Sequence, residues 1–202
     1  MNALSATIWA LIPVKARGQG KTRLAGQLCA EQRDKLVEAM FEHVVQVANE
    51  TVERTVVVGP QRSGVSVNLD RIEEPGGGLN AALGHALTVI ARKPDAPSRL
   101  IVIAADLPCI TPNDIARLAE LPLGIVGIAP DRHGSGTNAL SLPLPQAAGF
   151  RFHYGTDSAS LHRNAAQSLG LSAVTIITDG LAKDIDEPFD LADAAHLFSF
   201  MT

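Results

Sequence analysis

The sequence predicts an α/β protein with a single, mostly parallel sheet that is flanked by helices. Short apolar runs alternate with segments of helical periodicity along the chain. The run Leu100–Ala104 is uninterruptedly apolar, which is typical of a strand buried on both faces. Because 202 residues suit one domain and no repeat or linker interrupts the pattern, we predict a single domain over residues 1–202.

The predicted strands are short runs of apolar or β-branched residues bounded by turn residues. The first run ends at Pro13-Val14, and the second is followed by Gly59-Pro60. A run near residue 65 fits the pattern more weakly. In chain order, the predicted strands are Ile8–Val14, Thr55–Val58, Val65–Leu69, Leu100–Ala104, Ile125–Ala129, Thr137–Leu142 and Ala173–Thr178.

The predicted helices are segments in which apolar residues recur at helical spacing. Thr111 is a favourable N-cap and Pro112 a favourable first helical residue, so a helix is expected to begin there. In chain order, the predicted helices are Ala30–Asn49, Leu79–Ala91, the helix from Pro112, a helix from Asp157 or Ser158 to about Leu169, and a terminal helix Phe189–Phe198.

Composition excludes several classes of function. A net charge of −4 and 4% aromatic residues argue against a nucleic-acid partner, because nucleic acids select basic faces and stacking rings. No apolar run approaches the roughly 20 residues of a membrane helix, and the N-terminus lacks the pattern of a signal peptide. We therefore expect a cytoplasmic protein without a membrane partner. Cys29 and Cys109 are too few for a disulfide framework, and Cys109 is expected to be a buried thiol.

A basic, glycine-containing loop follows the first predicted strand. It carries Lys15, Lys21 and Arg23, and such loops present cations and backbone N–H groups to phosphate. Gly20-Lys21-Thr22 matches the end of the P-loop pattern, but that pattern requires glycine where this chain has Lys15. A P-loop also continues directly into a helix, whereas the helical pattern here begins near Ala30. A P-loop NTPase or phosphotransferase stays open as an alternative.

Acidic residues follow the later strands. Asp106 comes directly after a buried run, where a rigid strand end can hold an acid for a divalent metal. Asp184 and Asp186 are two residues apart, so in extended backbone both carboxylates face one side and Ile185 faces the other. Like charges on one face repel each other unless a cation lies between them. The three acids would supply oxygen ligands suited to Mg²⁺, although turn acids and helix caps use the same residue types.

Three further segments could contact a ligand at the carboxyl edge of the sheet, where ligands of parallel sheets bind. The run Gly76-Gly77-Gly78 permits close approach to the backbone, and Asn80 could contact a base or ribose. Residues 131–138 form a polar loop, and Tyr154–Ser158 leads into a helix whose N–H groups could bind an anion. Three histidines lack the spacing of metal ligands, and we expect them at the surface or at the rim of the site: His133, His153 and His162.

Taken in order, these segments resemble the guanylyltransferases of deazaflavin coenzyme (F-420) biosynthesis, the 2-phospho-L-lactate guanylyltransferase family. The resemblance covers nearly the whole chain, and it implies a Rossmann-like nucleotidyltransferase fold. More broadly, the chain is similar to molybdenum-cofactor guanylyltransferases and sugar-nucleotide pyrophosphorylases. The segments that carry the resemblance are PVKARGQGKTRLA, GGGLNAAL, AADLPCITPNDI, GSGTNAL, FHYGTDSASLHR and KDIDEPFDL.

The resemblance implies that GMP passes from GTP to the phosphate of a small phosphorylated three-carbon acid, with Mg²⁺ as cofactor and release of pyrophosphate. It leaves 2-phospho-L-lactate, phosphoenolpyruvate and 3-phosphoglycerate open as acceptors. Another small-molecule nucleotidyltransferase, such as a molybdenum-cofactor guanylyltransferase, and a non-catalytic nucleotide-binding module are further alternatives. The apolar residues 197–201 could cover a second copy of the chain, so a homodimer is one expectation.

The resemblance also implies a role for each matching residue. Lys21 and Asp106 would act in catalysis, and the metal ligands would be Asp106, Asp184 and Asp186. The residues that would contact the nucleotide are Pro13, Lys15, Lys21, Arg23, Gly77, Gly78 and Asn80. The residues that would bind the acceptor are Thr137, Gly155 and Ser158.

Overall fold

The described residues of the computed structural model, 6–15, 21–60 and 69–197, are built around one seven-stranded sheet. Its strands are β1 Ile8–Pro13, β2 Arg54–Val58, β3 Asp70–Ile72, β4 Arg99–Ile103, β5 Ile125–Ala129, β6 Ala139–Pro143 and β7 Ser172–Thr175. The strand order is β3-β2-β1-β4-β6-β5-β7. Strand β6 runs antiparallel to β4 and β5, and the other neighbouring pairs are parallel. The predicted fold class is confirmed.

Helices cover both faces of this sheet. They are α1 Ala30–Thr51, α2 Leu79–Ala91, α3 Pro112–Ala119, α4 Ser158–Ser168 and the short α5 Asp179–Ala182. Alternation along β1 sends Trp9 and Leu11 into a core with α2 and α4, and Ala10 and Ile12 into a core with α1 and α3. The strands are therefore buried on both faces, as their continuous apolar runs indicate.

The strand order places the topological switch point between β1 and β4. The chain proceeds outward from β1 to β2 and β3, and then returns to the other side of β1 with β4. Ligands of open α/β sheets bind in the crevice at such a point, beyond the carboxyl ends of the strands. The residues after Pro13 and after Ile103 are therefore in position to form a binding site.

The predicted terminal helix Phe189–Phe198 is wrong. The described part of this segment contains two 3₁₀ turns, Pro188–Ala192 and Ala195–Leu197, while residues 198–202 lie outside the described ranges. The apolar contacts with the neighbouring core come from Leu191, Ala194 and Leu197. Their spacing of three residues matches the 3₁₀ period rather than the α-helical one.

Smaller differences concern strand limits and short turns. Residues 65–68 of the weak third strand lie outside the described ranges, and β3 begins beyond them at Asp70. The last strand ends at Thr175 because Thr178 caps α5, its side chain accepting a hydrogen bond from Leu181 N. Sequence reasoning also missed α5 and the 3₁₀ turn Thr22–Gly26. No helix within the described ranges is long and apolar enough to cross a membrane.

Candidate active site

A cavity of about 1100 Å³ lies at the carboxyl ends of β1, β2 and β4. Every residue that was expected to contact nucleotide, metal or acceptor lines this cavity, with the exception of Asn80. The basic loop, the glycine run, the strand-end aspartate and the segment before α4 thus meet at one edge of the sheet. This convergence is the arrangement that the order of strands and loops predicted.

Three aspartates form a carboxylate cluster inside the cavity. One ligand oxygen from each of Asp106, Asp184 and Asp186 lies within 4.8 Å of the others. Asp106 follows β4, and the acidic pair follows α5, with Ile185 fully buried between its two members. The predicted alternation is therefore confirmed: the apolar side chain enters the core and both acids face the cavity. Asn138 steadies the cluster, since its Nδ2 donates to Asp184 Oδ1 at 3.2 Å and to Leu181 O at 2.9 Å.

Lys21 lies within this carboxylate cluster. Its Nζ donates a short hydrogen bond to Asp106 Oδ2 and a second one of 3.1 Å to Asp186 Oδ1. Its side chain is only 8% exposed. The backbone of Lys21 has a φ of 54°, in the left-handed region that is uncommon outside glycine. Lys21 precedes a single 3₁₀ turn, and the long helix begins only at Ala30, as the sequence predicted.

Burial and neighbouring charges shift the pKa values of Asp184 and Asp186 in opposite directions. Burial, reinforced by the carboxylates of Asp106 and Asp186, raises the pKa of Asp184. Burial alone would raise the pKa of Asp186 too, but the nearby Lys21 ammonium brings that pKa below its usual value. Burial would likewise lower the pKa of Lys21, and the two carboxylates that it contacts raise it instead. The cluster is an anionic site that is stabilised by cations.

A second set of residues, which sequence reasoning missed, holds the acidic segment in place. Asp190 is 3% exposed, and its Oδ2 accepts hydrogen bonds from Asp186 N at 2.8 Å and Glu187 N at 2.7 Å. Arg132 Nη1 lies 2.7 Å from Asp190 Oδ1, and Arg132 Nη2 donates to the carbonyl oxygen of Asp184 at 3.1 Å. The sequence contained one signal: Glu187-Pro188-x-Asp190 repeats the capping spacing of Thr111-Pro112-x-Asp114.

The glycine run forms one wall of the cavity. Gly76, Gly77 and Gly78 have φ values of 82°, 86° and 83°, a conformation that residues with a Cβ rarely adopt. The amide of Asn80 is engaged elsewhere: its Oδ1 accepts from Tyr154 N at 2.7 Å and its Nδ2 donates to Tyr154 O at 3.1 Å. Asn80 therefore joins the start of α2 to the segment before α4, rather than pointing its side chain into the cavity.

Two buried hydroxyl groups also line the cavity. Ser158 Oγ donates to Thr137 Oγ1 at 3.0 Å, and Thr137 Oγ1 lies 3.0 Å from Nδ1 of His162. His162 is fully buried, so the expectation that it lies at the surface or the rim is wrong. The reason is its position on α4, which turns the ring inward to meet Thr137 across 25 residues of sequence. His133 and His153 are exposed, as predicted.

Cys109 does not belong to the reactive part of the site. It is half-buried rather than buried, and its Sγ donates to the carbonyl oxygen of Asp193 at 3.3 Å. Burial raises the pKa of this thiol, with a smaller contribution from the Asp193 carboxylate. A thiol in this state is a poor nucleophile, which agrees with the structural role that the sequence suggested.

Comparison with known proteins assigns the chain to a family. A family model described as "Guanylyl transferase CofC like" matches residues 8–196. The chain belongs to this family. Phosphoenolpyruvate guanylyltransferase of Sphaerobacter thermophilus is 35% identical over 196 residues, which cover 94% of this chain and 93% of that protein. The 2-phospho-L-lactate guanylyltransferase of Methanothrix thermoacetophila is 33% identical over 190 residues, covering 91% and 80%.

The fold is shared with solved nucleotidyltransferases. The structure of a nucleotidyl transferase from Methanothermobacter superposes with a TM-score of 0.65 at 18% identity, covering 95% of this chain and 97% of that one. Together with the family match, this makes the chain an enzyme of the guanylyltransferase class. The comparisons support guanylyl transfer and not the P-loop NTPase alternative.

Proposed function

We propose that this guanylyltransferase moves GMP from GTP to the phosphate group of a small phosphorylated carboxylic acid, with Mg²⁺, in the biosynthesis of coenzyme F-420. The acceptor phosphate oxygen attacks the α-phosphorus, the bond to the β-phosphate oxygen breaks, and pyrophosphate leaves. The observation that carries the proposal is the position of the three-aspartate cluster. It lies in the same cavity as the glycine run and the buried hydroxyls of Thr137 and Ser158.

The aspartate cluster fits a hard divalent cation. Its donors are carboxylate oxygens, which Mg²⁺ prefers, and they are close enough together to share an ion. Asp106, Asp184 and Asp186 would hold it. When bound, Mg²⁺ would neutralise charge on the phosphates and help to orient them for in-line displacement.

The residues of the chain would contribute positioning and charge. The Lys21 ammonium, buried among the carboxylates, would supply a fixed cation to the phosphates, and Lys15 and Arg23, which line the same cavity, would add positive charge. The glycine run lets the nucleoside lie against the main chain ahead of α2. No protein nucleophile is needed, because the attacking phosphate oxygen is already ionised. Catalysis then rests on alignment and on electrostatic stabilisation of the transferred phosphoryl group.

The acceptor side supports a small acid. Thr137 and Ser158 offer hydroxyl groups, and the backbone at Gly155 lies on the same wall. Relatives named for phosphoenolpyruvate match at 32–37% identity and those named for 2-phospho-L-lactate at 33–34%, so the highest of these identities belong to phosphoenolpyruvate enzymes. Phosphoenolpyruvate is therefore the first acceptor to test. A location in the cytoplasm and a homodimer stay predictions, and residues 198–201 of the apolar C-terminus lie outside the described ranges.

The experiment is a pyrophosphate-release assay with the purified chain, GTP and Mg²⁺. Phosphoenolpyruvate, 2-phospho-L-lactate and 3-phosphoglycerate are supplied one at a time, and mass spectrometry identifies the guanosine product. We expect pyrophosphate together with a diphosphate-linked guanosine. Release of orthophosphate, or of pyrophosphate only with a sugar phosphate, would contradict the proposal. ATP and CTP in place of GTP test the choice of base.

A substitution in the cluster tests the metal assignment. Asp106→Asn removes one anionic ligand, and we expect turnover to fall by about 10²-fold or more. Binding of Mn²⁺, followed by electron paramagnetic resonance, should weaken in the same variant. The matched control is Asp95→Asn, which changes an aspartate at the amino end of β4, opposite the cavity. Wild-type Mn²⁺ affinity in folded Asp106→Asn would show that the cluster is not the metal site.

A further inference from the structure

His162 lies in a buried hydrogen-bond chain next to the proposed acceptor site. Its Nε2 accepts a hydrogen bond from the backbone N–H of His153 at 2.9 Å, and its Nδ1 lies 3.0 Å from Thr137 Oγ1. The side chain is fully buried, and the Tyr154 ring packs edge-on against it with the ring centroids 4.9 Å apart. The orientation of the ring is therefore fixed from three directions.

The backbone bond determines which nitrogen carries the proton. A backbone N–H can only donate, so Nε2 of His162 must be unprotonated to accept it. A neutral imidazole carries one proton, which must then be on Nδ1. Burial, helped by the neighbouring His153, lowers the pKa of His162 to about 4, so the ring is neutral near physiological pH. Nδ1–H consequently donates to Thr137 Oγ1.

This tautomer leaves one proton of the Thr137–Ser158 hydroxyl pair available to a ligand. Thr137 and Ser158 have one hydroxyl proton each, and their mutual hydrogen bond uses one of the two. If Nδ1 were an acceptor, it would take the second proton, and the pair could donate nothing to a ligand. Because Nδ1 is a donor, the second proton stays available. No other protein acceptor for either hydroxyl lies among the described residues, and both residues border the cavity.

We propose that His162 is a positioning residue that makes the Thr137–Ser158 pair a hydrogen-bond donor to the anionic acceptor. The inference rests on the proposed function, since it deepens the account of how that site binds a phosphorylated acid. It gives the site one directed donor without adding a second buried cation beside Lys21. Such a donor fits a carboxylate or phosphate oxygen, because these ionised groups can only accept hydrogen bonds.

Replacing His162 with asparagine or with glutamine tests the roles of its two ring nitrogens separately. In His162→Asn the amide N–H₂ can occupy the position of Nδ1 and still donate to Thr137, while the acceptor for His153 is lost. In His162→Gln the amide oxygen can reach the position of Nε2 and accept from His153, while the donor to Thr137 is lost. His85→Gln changes an exposed histidine of α2 and serves as the control. Thermal unfolding and circular dichroism establish that each variant is folded.

Steady-state kinetics then distinguish positioning from a purely structural role. We expect His162→Gln to raise the KM for the acceptor by about 10- to 100-fold, the effect of losing a hydrogen bond to a charged group, with little change in the KM for GTP. His162→Asn should stay within about threefold of wild type for the acceptor. The reverse order, or equal losses for both substrates in both variants, would overturn the proposal.

The tautomer itself can be measured independently of activity. Two-bond ¹H–¹⁵N correlation spectra of the full chain distinguish a protonated ring nitrogen from an unprotonated one, and His162→Gln assigns the signal. We expect protonated Nδ1 and unprotonated Nε2 near neutral pH. A proton on Nε2 overturns the proposal even if the enzyme is active. If the wild-type chain releases no pyrophosphate with any acid, the proposed function fails, whereas the spectrum still decides whether His162 donates to Thr137.

Discussion

Lowering the pH should destabilise the fold through His162, because this ring is neutral in the folded chain and can be protonated in the unfolded chain. Burial, with a smaller effect from His153, lowers its pKa from 6.5 to about 4. Above pH 6.5 neither state binds the proton, and the full contribution to stability is present. Between these two values the unfolded chain binds more protons, so the free energy of unfolding decreases as the pH falls.

The size of the effect follows from the separation of the two pKa values. One pH unit corresponds to about 1.4 kcal/mol, so the shift of His162 should cost about 3 kcal/mol by the time the pH has fallen through its folded pKa. Other groups titrate in the same range, and a variant is needed to isolate the histidine. His162→Gln removes the titrating ring and keeps a polar side chain of similar length.

The assay is urea unfolding at a series of pH values, followed by the fluorescence of the single, buried tryptophan, Trp9. The free energy of unfolding of the wild-type chain, minus that of His162→Gln, should decrease by about 3 kcal/mol between pH 6.5 and 4. His85→Gln, which changes an exposed side chain, should follow the wild-type curve. Parallel curves for the wild-type chain and His162→Gln would refute the assignment of a buried, neutral imidazole.

Two further predictions concern the cations around the aspartates. Lys21→Ala should lower kcat/KM for GTP by the equivalent of about 1.5–3 kcal/mol of transition-state stabilisation, because it removes a buried charge-assisted contact. The control Lys93→Ala, in an exposed turn, should leave kcat/KM unchanged. Equal GTP kinetics in the two variants would show that the basic loop is only a solvated turn. Arg132→Met should lower the free energy of unfolding by about 1.5–3 kcal/mol, because it removes a charge-assisted contact with the buried carboxylate of Asp190. It should also weaken Mn²⁺ binding, because Arg132 no longer holds the acidic segment. Arg92→Met, in an exposed position, is the control, and unchanged Mn²⁺ binding in Arg132→Met would contradict the positioning role.

The sequence was sufficient for the parts of the site that local pattern determines. Asp106 follows a run whose apolar character identifies a buried strand, and the spacing of Asp184 and Asp186 fixes their common direction. Both properties depend on neighbouring residues alone, so the structure confirms them. The location of the site at the sheet edge followed from the general behaviour of parallel sheets.

The parts that sequence reasoning missed depend on contacts between distant residues. Arg132 and Asp190 are separated by 58 positions, and no periodic pattern links them. The side chain of His162 looks like any polar residue of a helix until the fold brings it against Thr137. The amide of Asn80 pairs with the backbone of Tyr154, which lies 74 residues later, and a contact of Asn80 with the nucleotide stays a prediction. Patterns of burial can be inferred from one chain, whereas partners of individual polar groups require the tertiary structure.

The reversed direction of β6 bears on how acceptor preference can diversify. Because β6 starts at the cavity edge of the sheet instead of ending there, the chain leaves the cavity near Thr137 and returns to it at Tyr154. The proposed acceptor contacts therefore belong to one contiguous excursion, residues 137–158, while the proposed nucleotide contacts come from residues before it. The excursion remains tied to the rest of the site, because it contains the central strand β6, Asn138 donates to Asp184, and Tyr154 pairs with Asn80. Substitution of single cavity-lining residues such as Thr137 or Ser158 is therefore the change of acceptor site that keeps the sheet and the aspartate cluster in place.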